Sequence, residues 1–196
     1  VAVNLAGLGV STDLIGVVGP DAAAQSLEEI LLARGIACHF ARANNRPTIT
    51  KTRVQSRGQQ LIRLDEENAA DMPGDAMVEA LRDVLANAGA VVLSDYGKGS
   101  LADVARLIKA CRDAGIPALV DPKGNDFEKY RGATVITPNQ SEFEAVVGVC
   151  ATDDELVNRG RALLDELDLA ALLVTRSEKG MLLIEAGGEP VFLSTQ

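Results

Sequence analysis

Short apolar segments alternate with longer amphipathic ones along most of the chain, and this alternation limits the fold more than any other feature. Val91-Val92-Leu93 and Leu172-Leu173-Val174 are uninterrupted apolar triplets, and each follows a segment with helical spacing. A strand that is apolar on both faces is typical of a parallel sheet covered by helices on both sides. The sequence therefore predicts an α/β fold with a mostly parallel sheet flanked by helices.

One segment interrupts this alternation. Residues 48–56 and 59–65 are rich in β-branched residues and are joined by Arg57-Gly58, which favours a two-residue hairpin turn. Both faces of this hairpin are largely polar, so we expect it to project from the main sheet, within about residues 46–66. The chain contains no repeat and no interdomain linker, which predicts a single domain over residues 1–196.

Composition narrows the classes of function. The net charge of −9 argues against nucleic acid as a partner. No apolar run approaches the ~18 residues that a membrane span needs, so we expect no membrane association. Three cysteines far apart in the sequence and a single histidine argue against a disulfide framework and a His/Cys metal site. We therefore expect a protein of the reducing cytoplasm.

The charge is unevenly distributed, because no acidic residue occurs between Ile30 and Leu64. The basic residues of this stretch are Arg34, Arg42, Arg46, Lys51, Arg53, Arg57 and Arg63. Such a segment on an acidic protein is suited to a small anionic ligand, and a solvated surface hairpin explains it equally well. In the simplest hairpin register, Lys51 and Arg53 share one face and Arg63 lies on the other.

Polar clusters follow four of the predicted strands at their carboxyl ends, where open parallel sheets bind ligands. These clusters are Ser94–Lys98, Asp121–Lys123, Thr137–Glu142 and Thr175–Gly180. Surface turns have similar compositions, but hydroxyls, carboxylates and cations together at the strand ends favour a phosphate and Mg²⁺ site.

Two of these clusters carry motifs. Asn139 with Glu142 three residues later predicts a capping box at a helix start, and the same helix start is suited to facing a phosphate. Thr175 to Gly180 is a tight turn between strands, whose glycine serves either the backbone or the close approach of a nucleotide.

The order and spacing of these pieces resemble the ribokinase-like sugar kinases. Asn139 and Glu142 match the Asn-x-x-Glu motif of that family, Thr175 and Gly180 match its Thr-x-x-x-x-Gly nucleotide turn, and the hairpin matches its lid. A closer resemblance, to the kinase domain of ADP-heptose synthases, extends over essentially the whole chain. It is carried by residues 46–51, 59–65, 93–96, 121–124, 130–134, 141–148 and 173–178.

The resemblance implies phosphorylation of the C1 hydroxyl of D-glycero-D-manno-heptose 7-phosphate to the 1,7-bisphosphate. The phosphate donor is MgATP, and the product serves the synthesis of the lipopolysaccharide inner core. The residues implied on the nucleotide side are Asn139, Gln140, Ser141, Glu142, Thr175, Ser177 and Gly180, with Glu142 holding Mg²⁺ through water. The candidates on the sugar side are Lys51, Arg53, Arg63, Asp95, Lys98, Asp121 and Lys123. The family also implies a homodimer formed through the lid strands.

The chain departs from the family pattern at its ends. The family's glycine pair is expected before Val1, and its Gly-Ala-Gly-Asp motif, with the general base and the anion hole, is expected beyond Gln196. We therefore expect an incomplete kinase domain that is inactive alone.

Three alternatives stay open at the level of sequence. One is a related kinase for another phosphosugar, such as fructose 1- or 6-phosphate, and another is a non-catalytic sugar- or nucleotide-binding fragment. A dinucleotide-binding domain is disfavoured, because Gly7-Leu8-Gly9 follows a predicted helix and precedes a strand, the reverse of the required order.

Overall fold

A computed structural model describes residues 1–66 and 74–195 of the chain. The chain divides into two compact units, Val1–Val84 and Leu85–Gln196. The single domain over residues 1–196 stays a prediction, and residues 67–73 and 196, which it includes, lie outside the described residues.

The first unit begins with two strands that alternate with two helices, as the sequence predicts. Its elements are α1 (Ala2–Gly7), β1 (Thr12–Val18), α2 (Ala22–Leu32) and β2 (Ile36–Arg42), and β1 pairs with β2 in parallel. Asp21 caps α2 by accepting a hydrogen bond from the backbone N–H of Ala24 at 2.9 Å. Its carboxylate also accepts 2.7 Å bonds from the backbone N–H and the hydroxyl of Thr48. The helix cap is therefore tied to the chain that leads into the hairpin.

The hairpin consists of β3 (Thr50–Ser56) and β4 (Gln59–Glu66), which form a two-stranded antiparallel sheet of their own. Arg57 and Gly58 both have positive φ, 49° and 78°, as the predicted two-residue turn requires. All residues of the two strands except Thr50 are exposed.

The register of the hairpin differs from the predicted one. A β-bulge between Val54 and Gln55 shifts the pairing, because Leu61 has no partner on the opposite strand. Arg53 consequently lies directly opposite Arg63, and residues directly opposite each other in an antiparallel pair point to the same face. The prediction that Arg63 lies on the other face is therefore wrong.

The remaining elements alternate regularly. They are α3 (Gly74–Leu85), β5 (Val91–Ser94), α4 (Val104–Asp113), β6 (Ala118–Asp121), β7 (Val135–Ile136), α5 (Gln140–Val147), α6 (Asp153–Glu166), β8 (Ala171–Thr175), β9 (Met181–Glu185) and β10 (Val191–Leu193). A short 3-10 helix, Glu128–Tyr130, precedes β7, and another, Ser177–Lys179, follows β8. Helix α4 begins three residues later than predicted, because residues 101–103 form a turn.

Strands β5 to β10 form one sheet in the order β10-β9-β8-β7-β6-β5. The four strands β5 to β8 are mutually parallel, and β9 and β10 add on as an antiparallel hairpin. Val120, Ile136, Leu172 and Val174 are completely buried, as expected for strands that are covered on both faces. Because the four parallel strands point the same way, the four polar clusters that follow them share one edge of the sheet.

Candidate active site

The start of α5 is fixed by the predicted capping box. The side chain of Asn139 accepts a 2.9 Å bond from the backbone N–H of Glu142, and the Glu142 carboxylate accepts a 3.2 Å bond from the backbone N–H of Asn139. The backbone N–H of Thr175 donates to the carbonyl of Pro138 at 3.0 Å. The N-terminus of α5 is thereby held against the end of β8, with its positive dipole end at the ligand-binding edge of the sheet.

A cavity of about 550 Å³ lies between α5 and the turn that follows β8. Its lining consists of Asn139, Gln140, Ser141, Glu144, Thr175, Arg176, Ser177, Glu178 and Lys179. Five of the residues predicted on the nucleotide side, namely Asn139, Gln140, Ser141, Thr175 and Ser177, are therefore brought together around one space.

The turn after β8 has a backbone that only particular residues tolerate. Ser177 adopts a left-handed conformation with φ 50°, which costs a non-glycine residue conformational energy. Gly180 has φ 84° and ψ −127°, and a Cβ at this position would lie 1.8 Å from the carbonyl oxygen of Leu193. The backbone N–H of Arg176 donates to the carbonyl of Gly180 at 2.7 Å and closes the turn. The motif glycine is thus required by the backbone itself.

The loop after β5 is anchored by the carboxylate of Asp95, which is almost completely buried. One carboxylate oxygen accepts a 2.7 Å bond from the backbone N–H of Gly97, and the other accepts bonds from the Tyr130 hydroxyl at 2.7 Å and the Lys129 ammonium at 2.9 Å. Burial acts to raise the pKa of Asp95, but these three donors outweigh it and lower that pKa below its ordinary value. Asp95 is therefore ionised, and protein groups donate hydrogen bonds to both of its carboxylate oxygens.

The loop after β6 connects this anchor to α5. The Tyr130 hydroxyl accepts a 2.9 Å bond from the backbone N–H of Lys123, and the Lys123 ammonium forms a 3.0 Å ion pair with Glu142. Partial desolvation and the neighbouring carboxylates of Glu142 and Asp95 raise the pKa of Asp121. Asp95, Asp121, Lys123 and Glu142, all predicted from the strand ends, are therefore neighbours.

Three of the predicted residues do not line the cavity. Glu142 belongs to the group beside it, with its two carboxylate oxygens accepting bonds from the backbone of Asn139 and from Lys123. Lys98 is exposed in the loop after β5, and Gly180 closes the turn after β8.

The basic residues of the hairpin belong to the first unit. Lys51 and Arg63 both pair with Asp65, at 3.3 and 2.9 Å, and Lys51, Arg53, Arg63 and Asp65 all lie on one face. Slight desolvation raises the pKa of Asp65, but the two cations outweigh it and lower that pKa. Among the described residues of this face, three cations accompany the Asp65 carboxylate.

Arg176 and Tyr130 stand out among the residues of the site to which the sequence assigned no role. Arg176 is buried and lines the cavity, and Tyr130 joins the loops after β5 and β6. Tyr130 carried a signal, because the chain has only two tyrosines, and a buried tyrosine hydroxyl usually needs a partner.

Two further observations concern metal ions and membranes. Within residues 1–66 and 74–195, no group of three or more His, Cys, Asp or Glu side chains could hold a metal ion. A Mg²⁺ ion usually keeps several waters and binds through one or two carboxylates and substrate phosphates, and Glu142 beside Asp121 fits that mode of binding. None of the described helices has the length and apolar character of a membrane span.

The parallel sheet, its covering helices and the polar clusters at its carboxyl edge define an α/β protein of the kind that binds ligands at the ends of its strands. A model of the family described as pfkB family carbohydrate kinase matches residues 1–195, and the chain belongs to this family. It is 51% identical over 197 aligned residues to the bifunctional protein HldE of Proteus mirabilis, an alignment that covers 100% of the chain and 42% of that protein. HldE of Klebsiella pneumoniae is also 51% identical, with 100% and 41% covered. The chain thus spans less than half of the length of these relatives.

Solved structures agree on the fold. Ribokinase of Arabidopsis thaliana, complexed with ribose and ATP, superposes with a TM-score of 0.74 at 24% identity, over 98% of this chain and 64% of that one. The tetrameric inhibited form of phosphofructokinase-2 from Escherichia coli gives 0.73 at 19% identity, over 98% and 65%. The predicted ribokinase-like fold and the predicted family are therefore confirmed.

Proposed function

We propose that the protein transfers the γ-phosphoryl group of MgATP to the C1 hydroxyl of D-glycero-D-manno-heptose 7-phosphate, in the cytoplasm, for lipopolysaccharide core synthesis. The observation that carries the proposal is the likeness to HldE proteins, which extends over the whole chain at 51% identity. The cavity supports it, because the family's nucleotide motifs converge on one space at the carboxyl edge of the sheet.

The nucleotide binds, in this proposal, in the cavity between α5 and the turn after β8. Backbone N–H groups at the start of α5 and the hydroxyls of Ser141, Thr175 and Ser177 are suited to phosphate oxygens. Glu142 holds a water of the Mg²⁺ ion, which neutralises charge on the transferred phosphate. Lys123 keeps the Glu142 carboxylate in place through their 3.0 Å ion pair.

The phosphate already present on the sugar binds to the cationic face of the hairpin. Lys51, Arg53 and Arg63 lie on that face together with Asp65, which pairs with Lys51 and Arg63. Two arginines directly opposite each other repel, and a bound phosphate dianion removes this repulsion through charge-assisted hydrogen bonds. Asp121 and Lys98 remain candidates for the sugar hydroxyls. Asp95 is a weaker one, since its side chain is only 6% exposed and already accepts three hydrogen bonds from protein donors. The general base beyond Gln196 stays a prediction.

The opposite face of the hairpin supports a homodimer through the lid strands. Val54 pairs with Ile62 and Thr52 with Leu64, and the three apolar side chains are 41%, 50% and 54% exposed. A two-stranded hairpin alone has marginal stability, so the same face of a second copy of the chain is suited to bury these apolar side chains. Light scattering tests this: we expect Ile62→Glu to lower the molar mass and Gln60→Glu to leave it unchanged. Equal masses for both variants would contradict the dimer.

A coupled assay of ADP release tests the reaction. Because residues 1–196 are expected to be inactive alone, they are assayed beside a chain extended at both ends, each supplied with MgATP and, in separate reactions, heptose 7-phosphate, fructose 1-phosphate and fructose 6-phosphate. Preference of the extended chain for the heptose supports the proposal, preference for a fructose phosphate makes the substrate wrong, and no turnover by the extended chain with any of them refutes the kinase assignment. Glu142→Gln is expected to lower kcat by about 100-fold or more. Glu189→Gln, whose side chain is 97% exposed, is the matched control.

A further inference from the structure

Arg176 is a buried cation at the wall of the cavity. It directly follows the last residue of β8, and its side chain is only 5% exposed. A buried charge is costly unless it is paired and hydrogen-bonded, so its position has to be held by several partners.

Those partners come from three different elements. The guanidinium forms an ion pair with Asp153 at the start of α6, and its Nε donates to the side-chain carbonyl of Gln140 at 3.5 Å. Its face lies 5.4 Å from the ring of Phe192 in β10, within cation–π distance. One side chain therefore connects the starts of two helices with the closing strand of the sheet.

The bond to Gln140 sets the direction of a side chain that lines the cavity. The amide nitrogen of Gln140 donates to Glu144 at 2.9 Å while its carbonyl accepts from Arg176, so donors at one end and acceptors at the other fix the carboxamide. Without the guanidinium, Gln140 loses one of these two constraints.

We propose that Arg176 is a positioning residue for the nucleotide, which is held in place by Asp153 and sets ATP affinity by orienting Gln140. This inference rests on the proposed function, because it takes the cavity to be the ATP site. Arg176 is not expected to contact the reacting atoms, so its loss should change the KM for ATP and leave kcat and the KM for the sugar nearly unchanged. A guanidinium has a planar fork that the compact ammonium of lysine does not replace.

The test compares Arg176→Lys with Arg161→Lys, a control at an exposed arginine in α6. We expect Arg176→Lys to raise the Kd for MgATP about tenfold in calorimetric titration, and to raise the KM for ATP in parallel, as for the loss of one good polar interaction. The control should bind as the wild type does. A Kd within twofold of the wild type, or a loss confined to kcat, would overturn the proposal.

A second variant keeps the test decisive if Arg176→Lys does not fold. Asp153→Asn retains the guanidinium but removes its ionic partner, so a positioning role predicts about threefold weaker ATP binding. Unchanged or tighter binding would mean that the guanidinium acts on the phosphates directly, and would refute the positioning role. If the wild type itself does not bind MgATP, the proposed function fails and this inference fails with it. If the wild type binds MgATP and both variants bind it equally well, this inference alone fails.

Discussion

Replacing Tyr130 with phenylalanine removes one hydroxyl from a fully buried site and changes little else. The ring is completely buried and packs edge-on against Phe127, with centroids 5.9 Å apart, so its apolar packing is retained. The hydroxyl donates to Asp95 and accepts from the backbone N–H of Lys123. The substitution therefore leaves a carboxylate with one donor fewer and an amide without its acceptor.

The expected loss in the free energy of unfolding follows from these two hydrogen bonds. A hydrogen bond to a charged group contributes ~1.5–3 kcal/mol, and a buried group left unsatisfied costs ~1–3 kcal/mol. Asp95 keeps Gly97 and Lys129 as donors, so the lower part of the combined range applies, and we expect a loss of about 2–3 kcal/mol at pH 7. With a urea dependence of about 2 kcal/mol/M, the unfolding midpoint should fall by about 1 M.

The dependence on pH provides an internal check. The folded-state pKa of Asp95 is lowered, so the stability it contributes is fully present above its unfolded pKa of about 3.9 and is lost as the pH falls through the folded value. Tyr130→Phe removes one of the donors that lower this pKa. The difference in stability between wild type and variant should therefore be largest near neutral pH and should shrink below about pH 4.

Urea denaturation of the wild type, Tyr130→Phe and Tyr96→Phe measures the effect. Tyr96 is the only other tyrosine and is 68% exposed, so its hydroxyl should contribute almost nothing. Equal midpoints for the two variants, or a difference that persists unchanged at pH 3, would refute the role assigned to the hydroxyl.

The remaining predictions concern the nucleotide turn and the hairpin. Gly180→Ala places a Cβ 1.8 Å from the Leu193 carbonyl oxygen on a backbone with positive φ. It should lower the free energy of unfolding, measured by urea denaturation, by at least about 3 kcal/mol. A loss below about 1 kcal/mol would contradict the geometry of the turn. Arg63→Gln should raise the KM for the phosphosugar about tenfold in the coupled assay, while Arg57→Gln at the turn should leave it unchanged. Deleting Leu61, the unpaired residue, should remove the bulge and leave Arg63 opposite Arg53, so the KM for the phosphosugar should stay within about twofold of the wild-type value. A KM about tenfold higher in the deletion variant would show that the pairing of the two arginines does not suffice for phosphate binding.

The placement of the site on the sheet could be predicted from the sequence, because it depends on local patterns. Wholly apolar triplets such as Val91-Val92-Leu93 indicate buried parallel strands, and whatever follows such strands lies at the carboxyl edge. Asn139 and Glu142 are separated by the spacing of a capping box, so their geometry is also fixed locally.

The hairpin register could not be predicted in the same way. The turn at Arg57-Gly58 was correct, and the pairing next to it followed the simplest register. One unpaired residue, Leu61, then changed the face of every residue after it, because side chains alternate with a period of two. Exposed strands with mixed polarity carry no burial pattern that would have revealed the shift.

The partners of buried polar side chains could also not be predicted from the sequence. Tyr130 binds Asp95 across 35 positions, and Arg176 binds Asp153 across 23. Nothing local selects these partners, since each pair depends on how the strands and helices come together.

Glu142 illustrates why a structural and a functional interpretation of a motif need not compete. One of its carboxylate oxygens caps the start of α5, and the other pairs with Lys123, yet each carboxylate oxygen can accept a second hydrogen bond. The cap therefore holds the carboxylate in a fixed direction at the sheet edge before any ligand arrives, and the remaining lone pairs are available to a metal-bound water. A glutamine would retain the cap through its carbonyl oxygen but would lose the charge. In the function we propose, the capping box thus prepares for Mg²⁺ the same side chain that it uses to start the helix.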